Sequence, residues 1–283
     1  MSADAPRNTD DYCYRHPDRR SYVLCQRCLR TICPECQTQA AVGVICPECM
    51  KEQRQATPPR VRRAQASVRA LDSRPLVTFW ILGVTAVVSL IAVVPGVPIA
   101  NYLAFNSVFI DPSTGAPFQP WRVLTTALVH NGFLHLGLNM LAVWWIGRSL
   151  EPLLGHVRYL VLYVLSAFGG SVAMTLIAPG TTVVGASGAV FGLLGALLVI
   201  GRHIGANVRG ILIIVGINLV IGLLPIPGFY VAWQAHLGGL AVGALVGLIF
   251  ARTRRLDQRM PQNLLLVAVA VVLIALCAIP VLL

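Results

Sequence analysis

Charged residues are scarce in this sequence of 283 residues, and they are unevenly distributed. They make up 12% of the chain, whereas about 25% is usual in a soluble domain, and 56% of the residues are apolar. Residues 1–75 hold 13 Lys or Arg and 8 Asp or Glu, which leaves 9 Arg and 3 acidic residues for the other 208. The composition excludes a soluble globular protein and indicates a polar head followed by a membrane-embedded body.

Acidic residues are almost absent from that body. Between residues 121 and 250 the sequence has one, Glu151. An intramembrane protease with paired carboxylates needs two facing acids, and a zinc metalloprotease needs a His-Glu-x-x-His motif, but none of the six His residues is followed by Glu. A proton-coupled transporter usually carries a buried carboxylate. The first two classes are therefore excluded, and the third is disfavoured.

Residues 1–75 also lack an apolar run of signal-peptide length, so we expect the head to remain in the cytoplasm. A bilayer is crossed by about 20 apolar residues. The two shortest apolar stretches, 186–201 and 208–224, are rich in Gly, and we expect both to be inner helices. In total we predict seven spans, at 76–94, 122–146, 157–178, 186–201, 208–224, 232–250 and 262–282.

The Lys and Arg residues of the body collect in alternate loops. The loops at 95–121, 179–185 and 225–231 contain none, whereas the linker before the first span and the other loops do. Because cytoplasmic loops carry the positive charge, we predict a cytoplasmic N-terminus and an extracytoplasmic C-terminus. The basic linker at 53–75 is either a solvated spacer or a segment attracted to anionic lipid head groups.

Seven of the eight cysteines lie in the first 49 residues, in pairs with metal-ligand spacing. Eight such ligands close two tetrahedral Zn²⁺ sites, and metal binding would supply the folding free energy of so short a segment. A disulfide framework is the alternative, but the cytoplasm keeps thiols reduced. Interleaved pairing of the ligand pairs, which resembles B-box and other cross-braced zinc fingers, and sequential pairing both fit the spacing. The predicted zinc ligands are Cys13, His16, Cys25, Cys28, Cys33, Cys36, Cys46 and Cys49.

Polar residues within spans are costly and usually functional. Ser187 begins one Gly-rich span and His236 lies a few residues into another, so close packing of the two helices can bring a nucleophile and a base together. His135 and Asn139 are four residues apart on one helix face, where they could stabilise an oxyanion with the Ser187 backbone N–H. We expect His130 to steady the loop before them. A packing role is the alternative for Ser187.

These residues belong to four motifs: Trp121-Arg122, the run from His130 and Asn131 to Asn139, Gly185-Ala186-Ser187-Gly188, and Ala235-His236 with Gly239. In this order they resemble the rhomboid intramembrane serine proteases. The resemblance implies that Ser187 is the nucleophile, that His236 is the general base and that His135 and Asn139 stabilise the oxyanion. Phe191 occupies a position where many relatives have a Tyr that stacks on the catalytic His. The resemblance gives a supporting role to His130, Trp121, Arg122, Gly185, Gly188, Phe191 and Gly239, although Trp121 and Arg122 could also be simple interface anchors.

The predicted fold is an all-α polytopic membrane protein. It has a B-box-like zinc-binding domain at 1–52, the linker at 53–75, a rhomboid six-helix core at 76–252 and a seventh transmembrane helix at 253–283. The loop around Pro225, Pro227 and Gly228 suits a movable cap.

The predicted function is that of a serine endopeptidase that cleaves transmembrane helices of other proteins near the extracytoplasmic side, with no cofactor for catalysis. The alternative is a non-catalytic rhomboid-like protein that binds or triages transmembrane clients. The predicted partners are transmembrane substrates, the lipid bilayer and a protein that binds the zinc domain, and no nucleic acid is expected. The predicted location is the plasma membrane of a bacterium.

Overall fold

A computed structural model describes residues 9–39, 43–56, 74–224 and 231–282. The chain divides into two compact units, Met1–Leu71 and Asp72–Leu283. Most of the predicted basic linker, at 57–73, and the predicted cap around Pro225, Pro227 and Gly228 lie outside the described residues.

The first unit consists of short strands and one helix. Strands β1 and β2 form one antiparallel pair, and β3 and β4 form another. The expectation of an all-α chain is wrong here. Three of the four strands have only two residues, and the five-residue β2 reads His-Pro-Asp-Arg-Arg, so none of them produces an alternating apolar pattern. The helix also continues four residues beyond the predicted domain end at 52. The elements are β1 (Tyr12–Cys13), β2 (His16–Arg20), β3 (Thr38–Gln39), β4 (Val44–Ile45) and α1 (Pro47–Ala56).

The second unit is helical. On length and composition, three of its helices can cross a membrane, namely His156–Ile177, Trp233–Arg252 and Arg259–Ile279, and three further apolar helices are shorter. The unit therefore has the helices of a multi-pass membrane protein. Its helices are α2 (Leu76–Ala92), α3 (Ile99–Leu103), α4 (Arg122–Thr125), α5 (Phe133–Leu154), α6 (His156–Ile177), α7 (Ser187–His203), α8 (Arg209–Leu223), α9 (Trp233–Arg252) and α10 (Arg259–Leu282).

The helix predicted at 122–146 is the one that the structure places differently. Residues 122–128 form α4 and a 3-10 turn, and α5 begins only at Phe133, after Gly132 with a φ of +85°. Hydrophobicity did not reveal this break, because Ala127 and Val129 are apolar residues buried in protein. His130 therefore lies in the loop before α5.

Helix α7 is central and packs against α6 and α9. A Cβ on Gly239 of α9 would collide with the carbonyl oxygen of Gly188 on α7, so these two backbones approach as closely as glycine allows. The expectation that both short helices are inner ones holds for α7 and is wrong for α8. In α8 Val215 is the one buried residue, and the other apolar side chains face outward or lie partly exposed.

Helix α2 turns its polar residues inward. Thr78, Thr85 and Ser89 are its buried residues, and large apolar side chains such as Phe79 and Trp80 are exposed. Because lipid cannot hydrogen-bond hydroxyl groups, this polarity is typical of a helix at the edge of a membrane bundle.

Candidate active site and candidate metal centres

Ser187 is the first residue of α7, where the backbone N–H groups of a helix have no partner within the helix. The residue is partly exposed. Beside it lies a cavity of about 30 Å³ that is lined largely by small residues, among them Gly170, Ser171 and Ala235. A cavity of this size has room for water. The Ser187 hydroxyl thus lies beside a small cavity at the positive end of a helix.

His236 is buried on α9 and lies against α7. Its imidazole stacks on the ring of Phe191, with centroids 4.1 Å apart and the planes inclined by 8°. Phe191 follows Ser187 by four residues, so both project from the same face of α7. His236 Nδ1 is buried without a hydrogen-bond partner, and among the described residues no hydrogen bond joins Ser187 to the imidazole. Ser187 and His236 therefore share one helix interface without being directly bonded.

His130 links the turn before α7 to α2. Its Nε2 accepts a hydrogen bond from the N–H of Ala186 at 3.2 Å, and its Nδ1 lies 3.0 Å from Oγ of Ser89. The Ser89 hydroxyl donates to the carbonyl oxygen of Leu128, so Nδ1–H is the donor in the contact with Ser89. This arrangement requires a neutral ring and fixes the position of the turn that precedes Ser187.

His135 lies against the same turn. A Cβ added to Gly185 would be 2.7 Å from His135 Cε1, and Gly185 has a φ of +119°, so both the space and the backbone require glycine. His135 Nδ1 accepts a hydrogen bond from the N–H of Asn131 at 3.3 Å. Asn139 is buried, and its amide donates to the carbonyl oxygen of His135 at 2.9 Å. One N–H of the Asn139 amide is thus used within α5.

Trp121 and Arg122 are not part of this cluster. The Arg122 side chain is buried and donates to the carbonyl oxygens of Asn101 and Ala104, at 2.6 and 2.7 Å. The Trp121 indole donates to the carbonyl oxygen of Tyr102 and is half exposed. The burial of Arg122 does not fit an interface anchor. Its contacts indicate that it organises the loop between α2 and α4.

Two polar residues with no role assigned from the sequence, Glu151 and Ser89, have defined positions. Glu151 is fully buried, and its carboxylate accepts hydrogen bonds from the N–H groups of Val77 and Thr78, both at 2.8 Å, and lies 2.6 Å from His156 Nδ1. Ser89 supports His130, as described above. The sequence contained a signal for the buried polar contacts of α2, because Thr78, Thr85 and Ser89 recur on one face of that helix.

The eight predicted zinc ligands form two separate clusters. In each, the four ligand atoms lie within 4.8 Å of one another, and the pairs are interleaved: Cys13, His16, Cys33 and Cys36 in one cluster, and Cys25, Cys28, Cys46 and Cys49 in the other. Sequential pairing does not describe this arrangement. Either cluster could hold a metal ion.

The interatomic distances fit a tetrahedral ion better than a disulfide. Bonds of about 2.3 Å to sulfur and about 2.1 Å to nitrogen place the ligand atoms roughly 3.5–3.8 Å apart. His16 Nδ1 lies 3.3 Å from the Cys33 sulfur and 3.5 Å from the Cys36 sulfur, and the Cys28 and Cys46 sulfurs are 3.8 Å apart. A disulfide needs about 2.05 Å.

The close packing of the thiols also indicates a metal site. Burial, together with the neighbouring sulfurs of Cys13 and Cys33, raises the pKa of the Cys36 thiol to about 11. Burial and its three neighbouring cysteines raise the pKa of Cys49 to about 12. Four sulfurs in contact cannot all be thiolates without a cation among them, and a divalent metal ion would supply that charge.

Comparison with known proteins gives matches to the second unit. Residues 117–253 match the family model of the Rhomboid domain. RHOMBOID-like protein 1 of Arabidopsis thaliana is 41% identical over 139 residues, which are 47% of this chain and 35% of the relative. Rhomboid protease GluP of Bacillus subtilis is 34% identical over 158 residues, 53% of this chain and 30% of the relative. Rhomboid protease GlpG of Serratia proteamaculans is 34% identical over 145 residues, which are 50% of this chain and 52% of the relative.

These matches cover about a third to a half of each relative's length. The plant relatives argue against the predicted bacterial origin of the chain. The matched segment contains the Ser187, His236, His135 and Asn139 cluster and leaves the metal-ligand clusters outside. Residues 117–253 are thus similar to a rhomboid domain, and the matches support the rhomboid family for the second unit.

Proposed function

We propose that this protein is an intramembrane serine endopeptidase that hydrolyses peptide bonds in the transmembrane helices of other proteins. The observation that carries the proposal is the parallel stacking of His236 on Phe191, 4.1 Å apart, four residues after Ser187 on the same face of α7. This places the imidazole beside the start of α7, where a base for the Ser187 hydroxyl is needed. Two of the relatives are named as rhomboid proteases.

In the proposed reaction, Ser187 Oγ attacks the carbonyl carbon of the substrate peptide bond while His236 takes the hydroxyl proton. The tetrahedral intermediate then breaks its C–N bond, and His236 returns the proton to the departing amine. A water molecule hydrolyses the resulting ester in the same way and regenerates Ser187. Among the described residues no carboxylate is hydrogen-bonded to His236, so we propose that packing against Phe191 and burial in the bundle hold its imidazole in position.

Negative charge that develops on the substrate oxygen needs hydrogen-bond donors. The first N–H groups of α7, His135 and the second N–H of the Asn139 amide are the proposed donors. The proximity of His135 to Gly185 supports this assignment, because the imidazole then lies beside the turn that carries Ser187. One such donor typically contributes roughly 3–4 kcal/mol to transition-state stabilisation.

Substrate would enter sideways, between α5 and α8. A cleft of about 370 Å³ lies between these helices, and Phe191 forms part of its wall. Helix α8 is suited to moving aside, because Val215 is its one buried residue.

The proposed topology follows the distribution of Arg residues. We propose seven transmembrane helices, six in the core and α10 as the seventh, with a cytoplasmic N-terminus and an extracytoplasmic C-terminus in a plasma membrane. Cleavage would then occur near the extracytoplasmic side. The proposed partners are transmembrane protein substrates and the surrounding bilayer.

For the first unit we propose a zinc-binding, B-box-like domain with two structural Zn²⁺ ions. One ion would be held by three cysteines and His16, and the other by four cysteines. Both sites are fully ligated by protein, so the ions would fold the domain and take no part in hydrolysis. The domain would serve to dock a protein partner.

The test is covalent labelling of the purified full chain with a fluorophosphonate, together with cleavage of a reporter transmembrane helix in liposomes. We expect Ser187→Ala and His236→Ala each to abolish labelling and to lower cleavage at least about a thousandfold. Ser113→Ala, which removes a hydroxyl from an exposed loop, should change neither. If wild-type protein binds the reporter but neither labels nor cuts it, a non-catalytic role in binding or triaging membrane clients replaces the proposal.

A further inference from the structure

The cleft between α5 and α8 has one carboxamide in its wall. It is lined by apolar side chains from α5 and α7, by Ile214 of α8 and by Asn218 of α8. Asn218 is exposed and is the one polar side chain between Arg209 and Leu223. The other lining residue with a polar atom is Trp145, which can only donate a hydrogen bond.

The hydrogen-bonding capacity of Asn218 is only partly used. Its amide nitrogen donates to the carbonyl oxygen of Ile214 at 2.9 Å, one turn earlier in the same helix. Within the described part of the chain its amide oxygen accepts no hydrogen bond. Lipid tails offer no hydrogen-bond donor. An amide oxygen exposed to them on a membrane helix is therefore energetically costly unless another helix supplies a donor.

The cleft also leads towards the proposed catalytic pair. Phe191 lies in the cleft wall and stacks on His236. A helix seated in the cleft would therefore pass Asn218 on one side and be separated from His236 by a single aromatic ring. A polar group on that helix would be held at a fixed distance from the site of cleavage.

We propose that Asn218 is a specificity-determining residue, whose amide oxygen accepts a hydrogen bond from a polar side chain on the substrate's transmembrane helix. The occupant of the cleft is thus a helix with a hydroxyl or amide group within its membrane-spanning part. This inference rests on the proposed function. It adds the recognition of a substrate polar group by a residue outside the rhomboid motifs.

The experiment uses the full chain in liposomes with two reporter helices that differ only by Gln or Leu at one position within the membrane. The measured quantity is the ratio of their cleavage rates, with each variant normalised to its fluorophosphonate-labelled fraction. We expect Asn218→Leu to lower the Gln-to-Leu ratio about threefold and at most about twentyfold, the range of one interhelical hydrogen bond in a membrane. Asn218→Gln should preserve the ratio, because it keeps the carboxamide.

Ile217→Leu is the matched control. Ile217 is the exposed neighbour on α8 and lies outside the cleft, so its substitution should leave the ratio unchanged. An Asn218→Leu protein that still labels but shows the wild-type ratio overturns the inference, as does a fall in both rates by the same factor. If Asn218→Leu does not label, Asn218→Ala decides in its place. Failure of the proposed function is distinguishable, because the wild-type protein itself would then not label.

Discussion

The two units of this chain are stabilised by opposite means. In the head, the buried core consists of Ile32, Ile45 and six cysteines of the two candidate metal clusters. In the membrane-embedded unit, close contact between α7 and α9 and inward-facing polar groups hold the helices together. A short segment cannot bury enough apolar surface to fold, and helices in lipid gain little by hiding apolar surface. We therefore expect the head to depend on metal binding for its fold, and the membrane-embedded unit to depend on close helix packing and buried polar contacts.

Removal of metal tests this contrast with the largest expected effect. A strong chelator added to the full chain in micelles should unfold the head, because structural zinc sites contribute about 10–16 kcal/mol at neutral pH. Limited trypsin digestion should then cleave within residues 9–56, while the membrane-embedded unit stays resistant. A head that remains resistant in chelator would contradict the metal-dependent fold.

Substitution of Glu151 tests whether inward-facing polar groups stabilise the membrane-embedded unit. Glu151→Ala removes the acceptor for the N–H groups of Val77 and Thr78 and leaves His156 unpaired, so we expect a loss of about 3–5 kcal/mol in the stability of the membrane-embedded unit. Titration with SDS, followed by circular dichroism, measures it. Asp257→Ala, at an exposed acid, should leave the unfolding midpoint in place. Equal midpoints for both variants would show that Glu151 is dispensable.

Disrupting the close packing of α7 should destabilise the membrane-embedded unit less than loss of Glu151 does. In Gly192→Leu the new side chain would collide with Ser166 and approach the carbonyl oxygen of Gly239, so we expect about 1–3 kcal/mol of destabilisation in the same assay. Gly216→Leu on α8 meets nothing within 4 Å and should stay within about 0.5 kcal/mol of wild type. A tolerated Gly192→Leu would mean that α7 does not need its close packing against α6 and α9.

The smallest effect concerns one residue of the head. Leu29 has a φ of +59°, where a bulky side chain is strained, and its side chain is largely exposed. We expect Leu29→Gly to stabilise the head by about 0.5–1 kcal/mol, because glycine adopts this conformation freely. The denaturant midpoint of tryptic resistance measures the change. Leu24→Gly, in an extended segment, should not raise that midpoint, and a rise in both would assign the gain to lost apolar exposure.

Much of this architecture could be predicted from the sequence, and the exceptions have a common cause. The helix ends predicted for six of the seven spans lie within a few residues of those observed, because apolar length and flanking Arg residues define them. The start of α5 could not be predicted, since Ala127 and Val129 are buried by protein rather than lipid. The exposure of α8 could not be predicted either, because its glycines resemble those of α7 until one knows which face meets another helix.

At the site, the motifs predict a group of functional residues but not the contacts that support them. The approach of His135 to Gly185 agrees with the motif, whereas the link from His130 to Ser89 depends on a helix 41 residues earlier in the chain. In the head, ligand spacing predicted two clusters and left their pairing open. Which ligand pairs share a cluster depends on the folded structure and not on the spacing within each pair.

The imidazole of His130 ties the turn before Ser187 to Ser89 on α2, yet the recognisable rhomboid segment begins at residue 117. An excised fragment that matched the family boundaries would retain every side chain of the proposed catalytic site. It would lose the Ser89 hydroxyl, which through His130 supports the backbone before Ser187. The smallest fragment with a fully supported site is therefore longer than the matched segment, and it must begin before Ser89, a residue outside the four motifs.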